Sequence, residues 1–415
     1  MSTIIPSLIA AKRAAKQINV LDNNSRVALT AALAQAIREN IPAILKANLI
    51  DLEKIDPAAP FYDRLLLTHD RLTQMADATA AVSQLPDPTG QQMSAFEAPN
   101  GLNIKKVTVP LGLVGAIYEA RPNVTIDIAA LCLRSGNGVV LKGGTDAAAS
   151  NAALVKITHA VLHKAGLPAE AVTLLPNDRS HLAELLTATA YVDVIVPRGS
   201  QALINYVRSH ATVPTIETGA GVCHTYVERS AQPQQAAAIV VNAKTQRPSV
   251  CNALDTVLVD RHIAADFLPL LIPGFTSKSV GIYADADAYA ILSQHHYPHL
   301  HPAQTEDFGR EYLSQNCSVK IVDGLEEALD HIAEFSSKHS EAIVTENEAL
   351  AQRFLTEVDA AAVYHNASTR FTDGGVFGLG AELGISTQKL HARGPFALEK
   401  LVCEKWLVLG TGQIR

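Results

Sequence analysis

Leu113-Val-Gly-Ala-Ile-Tyr118, closed by Glu119-Ala-Arg121-Pro122, is followed downstream by Gly138-Val-Val-Leu-Lys142-Gly143-Gly144. Each is a short apolar run of β-branched and small residues ended by breakers, the pattern of a strand buried on both faces. Beyond them the period switches back and forth: helices are expected over 146–165, 180–187 and 201–209, and strands over 172–175 and 192–196. Such alternation implies right-handed crossovers and a mostly parallel sheet covered on both sides. A second α/β stretch begins near Val222, with strands expected at 224–227, 253–259 and 318–322. Upstream, 25–54 and 62–85 repeat at helical spacing, and 102–109 alternates as a strand.

A chain of 415 residues exceeds what one hydrophobic core sustains, so two lobes are expected. With 48% apolar and 18% charged residues it has ample material for burial. Lys and Arg are scattered among acids and the net charge is −7, which leaves no basic footprint for nucleic acid. No apolar run is long enough to span a bilayer, so no membrane partner is expected. Lys12, Arg13 and Lys16 run straight into helical pattern and read as part of an ordinary first helix. Five widely spaced cysteines without a Cys-x-x-Cys predict neither disulfides nor a zinc site, which fits a reducing cytoplasm. His295, His296, His299 and His301 bunch together, but Pro298 and Pro302 interrupt them and no Cys or acid stands at fixed spacing. A solvated loop is expected there, with no metal.

Three segments carry candidate chemistry. Lys244-Thr-Gln-Arg247-Pro-Ser-Val-Cys251-Asn252 places a thiol after a Pro-containing turn and before an apolar strand, with two cations to favour thiolate. A small buried hydrophobe is the bland alternative for such a cysteine. Lys142 follows a strand expected over 138–141, and Gly143 and Gly144 keep side chains away from anything lying across that strand end, where open α/β sheets bind ligands. Pro197-Arg198-Gly199-Ser200 follows a strand and opens a helix, so its N–H groups can face a pyrophosphate. A plain strand-to-helix turn would read the same way, and no G-x-G-x-x-G is present.

Together these segments resemble the aldehyde dehydrogenase superfamily and, within it, the γ-glutamyl phosphate reductases. The most specific pieces are Pro110-Leu-Gly-Leu-Val-Gly-Ala-Ile-Tyr-Glu-Ala-Arg-Pro-Asn123, the Cys251 segment, and Phe371-Thr-Asp-Gly-Gly-Val-Phe-Gly-Leu-Gly-Ala381 continuing to Lys389-Leu-His-Ala-Arg-Gly-Pro395. The resemblance implies two Rossmann-like α/β lobes plus a small oligomerisation hairpin and strand. The expected division is a cofactor-binding domain over 1–220 with its hairpin near 91–109, a catalytic domain over 221–380, and a return and oligomerisation segment over 381–415. It implies Cys251 as nucleophile and Asn123 as oxyanion donor. Glu217 matches a glutamate that activates water in oxidising relatives, and its other reading is an ion-paired carboxylate. For the cofactor it implies Lys142, Gly143, Gly199 and Ser200, with Glu306 and Phe308 on the nicotinamide ribose. Thr145 stands where many NAD-using relatives carry an acid, so NADP (NADPH) is expected over NAD. Arg121 or Arg247 is expected to take phosphate, and Arg370 carboxylate, since planar guanidinium forks suit both anions.

The activity so implied is NADPH-dependent reduction of L-glutamyl 5-phosphate to L-glutamate 5-semialdehyde through a cysteine thioester, the second step of proline biosynthesis from glutamate. Two rivals stand beside it: a hydrolytic aldehyde dehydrogenase using Glu217, and an inactive partner or scaffold of a glutamate 5-kinase. A homo-oligomer is expected, because the apolar run ending at Leu409 would be costly to expose.

Overall fold

The structure is a computed structural model, and residues 3–57, 59, 61–178 and 180–415 are described. The chain divides into two compact units. Unit 1 comprises Met1–Thr218, Gly378–Gly384 and Phe396–Arg415, and unit 2 comprises Gly219–Phe377 and Ile385–Pro395. The expected third segment, 381–415, is therefore shared between both units. Its last strand belongs with unit 1 because it hydrogen-bonds to a strand there.

Unit 1 begins with helices Ile5–Asn19, Asn23–Glu39 and Ile41–Leu52. The expected single helical run over 25–54 is two helices, because Pro42 lacks the N–H to continue a helix and is suited to a first turn. The run over 62–85 is likewise broken: a short turn, Tyr62–Leu65, precedes a helix His69–Gln84, whose first turn is capped by Thr68 accepting from the Arg71 N–H. Its strands are β1 (Gln92–Glu97), β2 (Asn103–Pro110), β3 (Leu113–Tyr118), β4 (Gly138–Gly143), β5 (Val172–Leu174) and β6 (Val194–Arg198). Four of them form a parallel sheet ordered β5-β4-β3-β6. Every residue of β3 and β4 is buried, as expected of strands covered on both faces. Leu113, Ile117, Val140 and Ile195 pack with Leu8, Leu185 and Val207 from the flanking helices.

The sequence runs from β3 outward to β5 on one side and then returns to β6 on the other. The order therefore reverses beside β3, and the loops leaving β3 and β6 flank the crevice that such a reversal opens at strand C-termini.

Unit 2 holds seven parallel strands, β7 (Cys223–Val227), β8 (Leu254–Asp260), β9 (Gly281–Ala284), β10 (Leu300–Pro302), β11 (Asn316–Val322), β12 (Ser340–Val344) and β13 (Ala362–His365). Their order is β10-β9-β11-β8-β7-β12-β13. Val257, Val259, Ile282 and Val319 pack against Phe267, Leu271 and Phe275. The histidine-rich stretch is less of a loop than expected. His295 and His296 are exposed, but β10 pairs with β9, and the His301 ring stacks on Tyr283 with centroids 5.0 Å apart. Among the described residues no group of three His, Cys, Asp or Glu is arranged to hold a metal.

A ribbon of β14 (Gly384–Ser386) and β15 (Gly394–Phe396) precedes β16 (Val402–Leu409). β16 adds antiparallel to β2, which pairs with β1, giving a three-stranded sheet in unit 1. Lys106 lies 4.9 Å from the Trp406 ring centroid and 2.7 Å from Glu404. Met93, Phe96, Trp406, Val408 and Leu409 of this sheet remain exposed.

Candidate functional site

At the carboxyl edge of the unit 1 sheet, Tyr118 ends β3 level with Gly143 of β4 and Arg198 of β6. The Tyr118 hydroxyl meets Thr125 Oγ1 at 2.7 Å, and Thr125 donates to Asn151 Oδ1 at 2.9 Å. Burial pushes the Tyr118 hydroxyl well above its usual pKa, so it stays a neutral strut. A Cβ on Gly143 would lie 2.4 Å from Asn151 Nδ2 and 3.3 Å from the Tyr118 ring. That glycine is therefore required by the packing beneath the strand end, beyond any need to clear a ligand above it. Lys142 is buried, and burial lowers its pKa while Asp178 opposes the shift. Thr145 is exposed at the start of the short 3-10 turn that follows.

The loop leaving β3 reaches the loop leaving β6. Ser200 caps the helix Gln201–His210 by accepting from the Leu203 N–H, and its own N–H donates to Glu119 Oε2 at 2.8 Å. The N–H expected to face a pyrophosphate thus already holds an anion supplied by the chain. A Cβ on Gly199 would stand 2.5 Å from the same carboxylate oxygen, so the close approach of Glu119 needs glycine there.

Arg121, half-buried, is the residue before the helix Pro122–Arg134, and Asn123 is exposed in its first turn. The Asn123 amide donates to Asp127 Oδ2, one turn on, at 2.9 Å. Burial pushes the Asp127 carboxyl up to about 6, opposed by that hydrogen bond and by Arg198. Glu217, 5% exposed, is gripped through Oε2 by Arg208 Nε at 2.8 Å and Nη2 at 2.5 Å. Asp127, Arg208 and Glu119 were absent from the sequence expectations. The Asn-x-x-x-Asp spacing on one helix face was the available signal for Asp127.

In unit 2, Cys251 is partly exposed in the turn between the helix Pro233–Thr245 and β8, at the entering edge of the sheet. Its carbonyl accepts from Cys223 Sγ at 3.3 Å. Asn252 is the rivet: its amide donates to the Thr372 carbonyl at 2.8 Å, and its carbonyl accepts from Thr369 Oγ1 at 2.8 Å. These bonds tie the cysteine turn to the 3-10 turn Thr369–Phe371, so segments far apart in sequence converge. Arg370 is half-buried there and donates from Nε to Gln246 at 2.9 Å. Its pKa is lowered by burial and by the like charge of Arg247, and raised by Cys251 and Asp373. The structure thus brings Cys251, Arg247 and Arg370 into one electrostatic neighbourhood. Below it, Lys244 is fully buried against Asp255 at 3.5 Å and the Leu254 carbonyl at 2.7 Å. Lys244, expected to favour the Cys251 thiolate, is thus committed to other partners beneath the strand.

Glu306 is exposed on the turn Thr305–Asp307, and Phe308 is half-buried with its ring edge-on to His331 at 5.3 Å. A groove of about 930 Å³ lies on unit 1 between the helices Asn23–Glu39 and Ala148–Lys164 and contains none of the residues above.

The model of the aldehyde dehydrogenase family matches residues 5–307. The γ-glutamyl phosphate reductase of Chlorobaculum parvum is 52% identical over 413 residues, covering 99% of this chain and 98% of that one. The crystal structure of γ-glutamyl phosphate reductase from Thermotoga maritima superposes with a TM-score of 0.95 at 39% identity, covering all of both chains. An acetylating aldehyde dehydrogenase from Geobacillus thermoglucosidasius shares the fold, with a TM-score of 0.71 at 17% identity over 99% of this chain and 97% of that one.

Proposed function

Since this chain belongs to the aldehyde dehydrogenase family and, within it, to the γ-glutamyl phosphate reductases, we propose that it reduces L-glutamyl 5-phosphate to L-glutamate 5-semialdehyde and phosphate. The observation that carries the reading is full-length similarity to enzymes of that name, joined to a partly exposed Cys251 within the electrostatic reach of Arg370. In this reading the Cys251 thiolate attacks the γ-acyl carbon and phosphate departs, leaving a thioacyl enzyme. Asn123 donates to the developing oxyanion, a contribution worth about 3 to 4 kcal/mol where such donors have been removed. Arg121 or Arg247 takes the phosphate and Arg370 the α-carboxylate. Once the thioacyl carbon has gained a hydride, the resulting thiohemiacetal loses its hydroxyl proton, and cleavage of the C–S bond expels the Cys251 thiolate and frees the semialdehyde.

The residues present fit a nicotinamide dinucleotide. Lys142 offers a cation at a strand end, and Thr145 leaves room and no repulsion for a 2′-phosphate, so NADPH is our choice over NADH. When bound, that cofactor supplies the hydride. Gly199 and Ser200 would hold its phosphates once Glu119 yields the helix N-terminus, and Glu306 and Phe308 its nicotinamide ribose. Glu217, paired with Arg208, is poorly placed to act as a free base toward water, which suits an enzyme whose thioester must survive until it is reduced.

An acyl phosphate is short-lived in water, so its supplier is a kinase acting on the glutamate γ-carboxylate, and association with a glutamate 5-kinase belongs to this reading. So does a homo-oligomer formed through the exposed face of β1, β2 and β16. No described helix is long and apolar enough to cross a membrane; a cytoplasmic location belongs to this reading through the relatives' biosynthetic role.

The test runs the reaction backwards: semialdehyde with NADP or NAD, with and without phosphate. We expect NADP reduction only when phosphate is present, and its loss in Cys251→Ala. Phosphate-independent turnover would identify a hydrolytic dehydrogenase instead.

A further inference from the structure

The proposed substrate carries an α-ammonium, and none of the residues assigned so far can recognise it, because all those assigned to bind it are cations or amides. Reading an ammonium takes an anion that the chain has not already neutralised. Three acids lie near the ends of β3 and β6. Glu217 is neutralised by two hydrogen bonds from Arg208. Glu119 accepts from Ser200 at the start of a helix, where the aligned peptide dipoles supply partial positive charge. Asp127 differs from both. It is half-buried, its hydrogen bond comes from an uncharged amide, and among the described residues no cation is within ion-pair distance of it. Arg198 acts on it only through space.

We propose that Asp127 binds the α-ammonium of glutamyl phosphate and thereby selects an amino-acid acyl phosphate over one lacking the amine. This rests on the reading in which Asn123 donates to the oxyanion. The geometry follows from that role. Asn123 and Asp127 sit one turn apart on the same helix face, and the amide nitrogen is 2.9 Å from the carboxylate. In the substrate, four bonds separate the γ-acyl carbon from the α-nitrogen, about 5 Å when extended. With the acyl oxygen on the Asn123 amide, the ammonium falls within one hydrogen bond of Asp127. The incoming cation also supplies the charge whose lack makes an ionised carboxylate costly at this half-buried position.

The test compares two aldehydes in the phosphate- and NADP-dependent reverse reaction: glutamate 5-semialdehyde, with concentration counted as open-chain aldehyde, and 5-oxopentanoate, which lacks the amine. The wild-type protein is expected to prefer the amino aldehyde by about ten- to a hundredfold in kcat/KM. In Asp127→Asn the preference collapses toward unity, through loss on the amino aldehyde. Asp127→Glu, which keeps an anion, recovers part of it, and thermal melts confirm that both variants fold. A wild-type preference that survives in Asp127→Asn overturns the proposal while leaving the reaction intact, as does a wild-type protein that oxidises both aldehydes equally. Phosphate-dependent turnover of neither aldehyde overturns the underlying reading and the proposal together.

Discussion

Gly221 and the carbonyl of Cys251 touch: a Cβ built on Gly221 would lie 1.4 Å from the Cys251 oxygen. No rotation relieves that overlap, because both partners are backbone. Gly221 precedes β7 and Cys251 precedes β8, and Cys223 pairs in register with Leu254 across the same edge. The turn that presents the thiol is therefore shaped by a residue whose side chain must be absent.

Gly221→Ala is accordingly expected to displace the Cys251 turn. Iodoacetamide labelling of Cys251 should change severalfold, and turnover should fall by at least about a hundredfold, the scale of a misplacement of about 1 Å at reacting atoms. Wild-type labelling and wild-type turnover together would show that the turn tolerates the methyl group.

Thr145→Asp restores the acid that the NADP reading says is missing. The ratio of kcat/KM for NADP over NAD should drop by more than about tenfold, since a carboxylate repels a 2′-phosphate and accepts from ribose hydroxyls. An unchanged ratio would place cofactor discrimination elsewhere.

Arg208→Gln leaves the buried Glu217 without its guanidinium. Loss of charge-assisted hydrogen bonds at this partly screened pair should cost about 1 to 2 kcal/mol in urea unfolding. It should also raise phosphate-independent oxidation of the semialdehyde, because a released carboxylate can activate water. A stable variant with no such leak would count against any latent base function for Glu217.

His331 and His339 are buried in unit 2, and burial holds their pKa values down to about 3 and about 4. In the unfolded chain both take a proton near pH 6.5, so between these values the unfolded state binds more protons. Stability is then full above pH 6.5 and falls on acidification, by about 1.4 kcal/mol per pH unit for each ring. His331 packs against Phe308 and Phe335, and neither ring nitrogen has a hydrogen-bond partner. His331→Phe should remove one ring's share of the slope between pH 7 and pH 5, read from urea midpoints, whereas an unaltered slope would show that its proton uptake is the same folded and unfolded.

Trp406, 53% exposed on β16, lies in the apolar face we assign to self-association. Trp406→Glu should lower the mass seen by light scattering toward that of a protomer. Retention of the wild-type mass would move the interface elsewhere.

Much of this architecture could be read from the residues because strands buried on both faces leave an unbroken apolar run. The run 113–118 is β3 residue for residue, and 138–141 differs from β4 only in the two residues that continue it. The strands that escaped notice are short or polar. β9 has four residues, and β12 begins Ser340-Glu341, whose buried carboxylate is held by the Ser336 hydroxyl and by His224, a residue over a hundred positions away, at 3.0 Å. The site divides the same way. Motifs flagged Cys251, Asn123 and Arg370, but the bonds that position the Cys251 turn and Arg370 join distant segments, as Asn252 does with Thr369 and Thr372 and Arg370 with Gln246. Periodicity carries no trace of such pairings.

The antiparallel match of β2 with β16 joins residues 103–110 to residues 402–409, a closure that is slow because so much chain must first be ordered. During synthesis β2 therefore waits with one edge bare, an invitation to aggregate with neighbouring nascent chains. Lys105 and Lys106 in the middle of that strand, and Pro110 at its end, are the residue types that discourage such encounters. Neutralising both lysines should cost little once folding is complete and a good deal in soluble yield.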